Sequence, residues 1–511
     1  MKQRRPSSPA VAALGILVSL VVAPSASAQV EQIDTARLRA GVTVNGILQH
    51  ERALQRIAAA SGGNRSAATP GYDGSLAYVK RRLQRAGYRP FEQPFEFAFF
   101  EETAPPELAL TAPAQKTFLP GADVTTMQYS GSGEVSGRAV PIDVQVPAPA
   151  QPGSTSGCEA ADFAGFTSGA IGLVQRGTCT FEVKAANAQA AGAAAVIIFN
   201  EGQAGRTDAV GGTLGRPFTV PVLFAGFAVG EQLVTLARSG AEVTVRLKTA
   251  TISETRTTKN LLADTPRGDA SQTVVVGGHL DSVPEGPGIN DNGSGISAIL
   301  ETAEEMAELR VRPRRKIRFA FWGAEELGLF GSEHYVEALG PEGVADVYAN
   351  LNFDMLGSAN YVRFVYDGDG SSGEGTGPPG SAEIEALFNG YYAQRGLATE
   401  PTAFDGRSDY GPFIAAGIPA GGLFSGAEGI KTAAQAATYG GVAGEPYDAC
   451  YHLACDTASN LNAKSLGELS DGLAHATLTL ARSRTGLLPD GSRGRGLRAR
   501  EQTHRGSQAI R

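Results

Sequence analysis

Apolar residues recur along this chain at two spacings, and the switches between them predict alternating strands and helices. Ile47, Leu48, Leu54 and Ile57 fall at helical spacing. Residues 72–86 predict a second helix, ended by Gly87. Residues 29–120 therefore read as mostly helical, apart from 91–100, FEQPFEFAFF, whose partial alternation and aromatics predict a strand. From about 121 to 248 charges thin out and Gly, Ala and Val dominate. Short β-type runs fall within 135–146. A strand at 170–175, an Ala-rich helix at 181–191, a buried strand at 194–200 and a further strand at 219–224 follow. Near 251 the alternation resumes. Val274, Val275 and Val276 form a short apolar run bounded by Gly277 and Gly278. Ile296 opens a helical run, ISAILETAEEMAEL. KIRFAFW at 316–322 and the run at 348–353 predict two more strands.

Polar residues cluster where these strands stop. His279 and Asp281 follow the valine run in an H-x-D pattern, and Asp291 lies in the glycine-rich loop GINDNGSG. Glu325 and Glu326 come just after KIRFAFW, and Asp354 directly ends the strand at 348–353. Residues beyond the carboxyl ends of parallel strands are where open α/β sheets place their sites. His452 lies between Cys450 and Cys455, in PYDACYHLACD. The remaining histidines read otherwise. His50, His334 and His475 fall on helical runs as packing or surface groups, and His504 lies in the tail.

Composition narrows the setting. A length of 511 residues allows two or three domains, and a formal charge of −8 disfavours a nucleic-acid partner. Residues 1–28 read as a signal peptide. Lys2, Arg4 and Arg5 precede a short apolar run, and Ala26-Ser27-Ala28 fits a cleavage site. Losing three basic residues and no acidic one takes the mature charge from −8 to −11. Secretion without a membrane anchor is the expectation, since no later stretch reaches the roughly 18 apolar residues of a spanning helix. Four cysteines in an exported chain read as two disulfides, paired by proximity as Cys158–Cys179 and Cys450–Cys455. The alternative of a cysteine-ligated zinc lacks a C-x-x-C pair. The tail from about 488 is rich in Arg and Gly and reads as disordered or processed.

His279, Asp291, Glu325, Glu326, Asp354 and His452 form a mixed nitrogen and oxygen set. It suits zinc, with manganese or cobalt as alternatives. One catalytic zinc takes three protein ligands, so this set serves two metals better. Each metal takes one His and one carboxylate, a further carboxylate bridges, and one remains as a base. Adjacent Glu325 and Glu326 point apart in extended backbone, so one can bind while the other handles a proton.

The segments GGHLDSV, GINDNGSG, FAFWGAEELGLFGS, NFDMLG, FDGRSDYGPF, GIPAGGLFSGAEGIKT and CYHLACD together resemble the M28 family of zinc aminopeptidases, in its secreted actinobacterial form. GLVQRGTCTFEVKAANAQAAGAAAVIIFN resembles the protease-associated domain, a non-catalytic insert. The resemblance implies a zinc-exopeptidase-like fold. Its central sheet is mixed and mainly parallel, flanked by helices and interrupted by a smaller β-rich α/β domain. The expected layout is signal peptide 1–28, first part of the peptidase 29–120, insert 121–248, catalytic core 249–487 and tail 488–511. By resemblance, His279, Asp291 and Asp354 hold one zinc, and Asp291, Glu326 and His452 a second, giving two per chain. Glu325 matches the general base acting on metal-bound water, Tyr451 an oxyanion donor, and Asp281 the carboxylate that orients His279. Arg407 matches a segment near the substrate. Calcium is left open, because Asp471 remains but Gly467 stands where a second carboxylate belongs. The expected activity is hydrolysis of the first peptide bond of peptides or proteins with a free α-amine, by a monomer. A carboxypeptidase, a glutaminyl cyclase and a non-catalytic binding protein are the alternatives on this scaffold.

Overall fold

A computed structural model describes residues 31–373 and 375–488. The expected signal peptide, its cleavage site and nearly all of the expected tail lie outside the described residues. After a short helix at Ala36–Gly41 come helices α1 (Val44–Ala60) and α2 (Pro70–Arg85). Thr43 and Thr69 cap them, each hydroxyl accepting a backbone N–H from the first turn, and Pro70 stands where the helix has no N–H to lose.

Two long strands follow, β1 (Phe91–Ala112) and β2 (Thr244–Asp264), paired antiparallel over most of their length. The mostly helical reading of 29–120 is corrected here, because the strand foreseen at 91–100 continues for twelve more residues. Pro105 and Pro106 look like a stop, but they fall where the register shifts between Ala104 and Glu107. Proline is tolerated at such irregularities because no ladder N–H is required there. Leu108 and Leu110 then resume burial.

The core sheet continues with β3 (Asp269–His279), β4 (Arg315–Trp322), β5 (Val347–Phe353) and β6 (Ala420–Phe424), beyond which lie the short strands Phe364–Tyr366 and Glu400–Thr402. β4, β3, β5 and β6 lie side by side and parallel. β2 adds antiparallel to β4 and also pairs with the strand Gly133–Pro141, so one end joins the core and the other joins the insert. The insert has its own parallel strands, Ile171–Gln175, Ala195–Phe199 and Val222–Ala225, and its own apolar core. Cys158 and Cys179 are disulfide-bonded, as are Cys450 and Cys455. No helix among the described residues is long and apolar enough to cross a membrane.

The valine run is apolar throughout because β3 is covered on both faces. Val274 and Val276 pack with α1, α2 and three later helices, α3 (Gly295–Glu308), α5 (Ser381–Ala393) and α6 (Ala463–Arg482). Val275 faces the other layer, with Trp322 and with Tyr335 of α4 (Phe330–Asp346). Gly277 and Gly278 are required by close approach. A Cβ on the first would lie 2.7 Å from the Trp322 indole nitrogen, and one on the second 2.6 Å from the Phe353 carbonyl oxygen.

His475 is buried in α6, with Nδ1 2.9 Å from Thr35 Oγ1 and its ring stacked on Tyr391. Burial, with Arg39 and Arg395 adding, lowers its pKa to about 4. A histidine held neutral in the fold but free to charge when unfolded contributes stability above the unfolded pKa. That stability is lost as pH falls from about 6.5 towards 4. The expected loss is about 1.4 kcal/mol per pH unit within that window. Thermal unfolding at pH 7 and 5 should show a smaller acid loss for His475→Gln than for wild type.

Candidate active site

The parallel strands all end on one side, and the predicted residues gather there. His279 is the last residue of β3, Glu325 and Glu326 follow β4, and Asp354 follows β5. His279 Nε2 lies 3.1 Å from Asp291 Oδ1, 3.3 Å from Asp354 Oδ1 and 3.9 Å from Glu325 Oε2. His452 Nε2 lies 3.2 Å from Asp291 Oδ2 and 3.1 Å from Glu326 Oε2. Two compact donor groups result, His279–Asp291–Asp354 and Asp291–Glu326–His452, and within each the donor atoms lie within 4.8 Å of one another. Asp291 belongs to both, and Glu325 to neither.

The loop around Asp291 is fixed by its neighbours. Asn292 donates to the Phe353 carbonyl and accepts the amide N–H of Met355, spanning Asp354. Asn290 accepts the N–H of Gly357 and donates to Ser358 and Asp448. The two asparagines of N-D-N thus hold the Asp291 loop against the Asp354 loop. Ala324, Met355 and His452 have φ of 58°, 53° and 57°. Left-handed backbone at such residues costs about 1–3 kcal/mol each, so the surrounding contacts must hold it in place. At His452 the Cys450–Cys455 disulfide closes the loop, and Asp448 accepts the Cys450 N–H.

Charge is concentrated here on buried side chains. Burial raises Glu325 well above the ordinary carboxyl range, with Asp409, Glu326 and Asp354 reinforcing it against His279. Burial likewise raises Glu326 to about 7 and Asp409 to about 8. Burial also pushes Asp291 up, but His279 and His452 outweigh it and draw its carboxyl well below the usual range. Burial would lower His452, yet Asp291 and Glu326 prevail and raise it to about 10. Glu326 Oε1 is buried without a hydrogen-bond partner. A cation between these groups would relieve the carboxylate crowding and meet that orphaned oxygen. The mixed donor set fits zinc.

Asp281 sits differently from a simple His-orienting carboxylate. Its Oδ1 is 3.8 Å from His279 Nδ1, and its backbone carbonyl is nearer, at 3.3 Å. Its carboxylate accepts the amide N–H groups of Glu325 and Glu326 at 3.3 and 3.4 Å, so it sets the turn that separates those two side chains. The Tyr451 ring stacks on His452 at 3.8 Å between centroids. Burial pushes its phenol well up, with Asp291, Glu326 and Glu325 adding, so it stays protonated and able to donate. Arg407 is half-exposed and paired with Glu428 at 2.8 Å. Asp471 faces Arg39 at 3.7 Å.

Several residues here carried no sequence signal of their own. Ser408 donates to Asp354 Oδ2 at 2.6 Å, and Asp456 accepts the amide N–H groups of Asn290 and Asp291. Both lie inside the matching segments, but hydrogen bonds to groups distant in sequence leave no pattern there. Among the described residues, two other groups have metal-like spacing. In His50–Glu301–Glu304, His50 is buried against the Tyr78 hydroxyl and Glu304 is gripped by Arg82. In Asp367–Asp369–Glu385, the two buried carboxylates accept backbone amides.

The fold and the site define a metal-dependent hydrolase on an open α/β sheet. The sequence model of Peptidase family M28 matches residues 260–477, and that of the PA domain matches residues 135–233. An aminopeptidase of Pseudomonas aeruginosa is 47% identical over 442 residues, covering 86% of this chain and 81% of its own. The solved aminopeptidase from Aneurinibacillus sp. strain AM-1 superposes with a TM-score of 0.61 at 24% identity, covering 88% of this chain and 96% of its own. A zinc aminopeptidase from Bacillus subtilis superposes with a TM-score of 0.54 at 23% identity, over 87% and 97%. The chain belongs to peptidase family M28, and it is a metallo-aminopeptidase.

Proposed function

We propose that this enzyme holds two zinc ions and hydrolyses the N-terminal peptide bond of peptides or proteins that carry a free α-amine. The observation that carries this reading is the sharing of Asp291 between two donor groups while Glu325 stays outside both. His279, Asp291 and Asp354 would hold one ion, and Asp291, Glu326 and His452 the other. Bound zinc supplies an acidified water and polarises the scissile carbonyl. Glu325 accepts the proton of the attacking water and passes it to the leaving amine. Asp281 keeps Glu325 and Glu326 apart through their amides, so the base is not drawn in as a ligand. The Tyr451 hydroxyl donates to the oxygen that becomes negative as the carbonyl carbon turns tetrahedral. The surplus of buried carboxylate favours a substrate ammonium nearby. A carboxypeptidase needs a cation free for the terminal carboxylate, whereas Arg407 is already paired with Glu428. Two disulfides suit an oxidising compartment, consistent with export after cleavage near Ala28. The insert at 121–248 is read as a lid or docking surface beside the active site, and the enzyme as a monomer.

A panel of aminoacyl-anilides tests the reading, run beside N-acetylated and C-terminal substrates. Only free-amine substrates should be cleaved; equal cleavage of blocked ones would contradict it. Tyr451→Phe should lower kcat about 10²–10³-fold, the usual worth of one oxyanion donor. KM should stay within a small factor, and metal content should not change. Normal kcat would remove Tyr451 from the reaction.

A further inference from the structure

One fully buried cation touches the loops of the site from outside. Arg65, in the segment between α1 and α2, is 0% exposed. Its Nε donates to the Pro287 carbonyl at 2.8 Å, its Nη1 to the Leu280 carbonyl and its Nη2 to the Gly288 carbonyl. Its backbone N–H donates to Ser282 Oγ at 2.9 Å. Leu280 lies between His279 and Asp281, and Gly288 is three residues before Asp291. One rigid fork therefore ties the His279 loop to the Asp291 loop. Only a guanidinium offers donors spread widely enough for three separate carbonyls.

The surroundings are built around this fork. Gly288 has φ of 60°, and a Cβ there would lie 2.4 Å from the Asp291 carbonyl oxygen and 3.1 Å from Arg65 Nη2. Glu51 of α1 is fully buried with neither carboxylate oxygen hydrogen-bonded, and burial raises its pKa well above the ordinary carboxyl range against the pull of Arg65. On the opposite side of the strip, Asp456 accepts the N–H of Asn290 at 2.7 Å and of Asp291 at 3.0 Å. The strip before Asp291 is thus held by its carbonyls through Arg65 and by its amides through Asp456.

We propose that Arg65 is a positioning residue for the metal centre, setting the distance between the His279 and Asp291 loops, an inference that rests on the zinc reading above. It touches neither substrate nor metal and acts through the backbone that carries two ligands. Groups that orient metal ligands are typically worth about 10–100-fold in metal affinity.

The test uses the full-length enzyme and a chelator competition that reads zinc affinity of the folded protein, with the unfolding temperature of the metal-free protein alongside. Arg65→Lys keeps the charge and loses the fork. Zinc should bind about 10–100-fold more weakly, and excess zinc should recover most of the turnover. A merely structural arginine would lower the unfolding temperature and leave zinc affinity unchanged, and that result overturns the proposal. If Arg65→Lys does not fold, Ser282→Ala decides. It removes the acceptor of the Arg65 backbone N–H, together with the hydroxyl's contacts to the Val283 and Gly286 carbonyls of the same loop, and should weaken zinc binding by about threefold; unchanged affinity overturns the proposal. If the wild-type enzyme binds one zinc and not two, the dinuclear reading falls, while the comparison of variant with wild type at that zinc still decides the role of Arg65.

Discussion

Glu325→Gln should lower kcat by about 10²–10⁴-fold, the usual contribution of acid–base catalysis, and leave metal content unchanged. The amide keeps the size and shape of the side chain but cannot take a proton from water. Glu325 belongs to neither donor group and lies 3.9 Å from His279 Nε2, so its replacement leaves both groups whole. Asp281 grips the residue 325 amide through the backbone, and that contact survives the change. Catalysis should therefore fail without a loss of zinc. Near-normal kcat, or metal lost along with activity, would each remove Glu325 from the role of base.

Asp291→Asn should abolish activity by at least the same ~10²–10⁴-fold margin, and unlike Glu325→Gln it should take metal with it. Asp291 offers one oxygen to each donor group, at 3.1 Å from His279 and 3.2 Å from His452. An asparagine retains one acceptor oxygen, and its NH₂ faces the second group with protons where a lone pair is needed. No other residue among the two groups is shared, so among the ligands themselves only this change weakens both. Metal analysis after dialysis, with circular dichroism to establish that the variant is folded, checks the outcome. Asp291→Asn that keeps its full metal content would show that the groups bind independently.

The ligand candidates were legible because each sits at a local boundary. The valine run ends at His279, KIRFAFW runs into the glutamate pair, and the strand at Val347–Phe353 ends at Asp354. Hydrophobic runs reveal where strands stop, and a parallel sheet brings those ends together. The division into two groups was less visible, since it depends on which carboxylate faces which imidazole. Asp281 illustrates the limit. The family resemblance makes it the carboxylate that orients His279, yet the turn after β4 brings two amides closer to its carboxylate than the His279 ring. Arg65 and Asp456 were silent for a related reason: their partners are backbone groups of distant loops, which any residue could supply. In the fold, the aromatic alternation marks a strand only over 91–100, whereas β1 runs on to Ala112, bulging at Pro105-Pro106 where its register with β2 shifts.

The central claim is that one carboxylate is shared between two zinc ions. Zinc measured per chain in purified enzyme, while a chelator removes it stepwise and activity is followed, tests that claim most directly. About two zinc ions per chain are expected, with activity falling as they leave and returning when zinc is restored. Fully active enzyme holding a single tightly bound ion would contradict it.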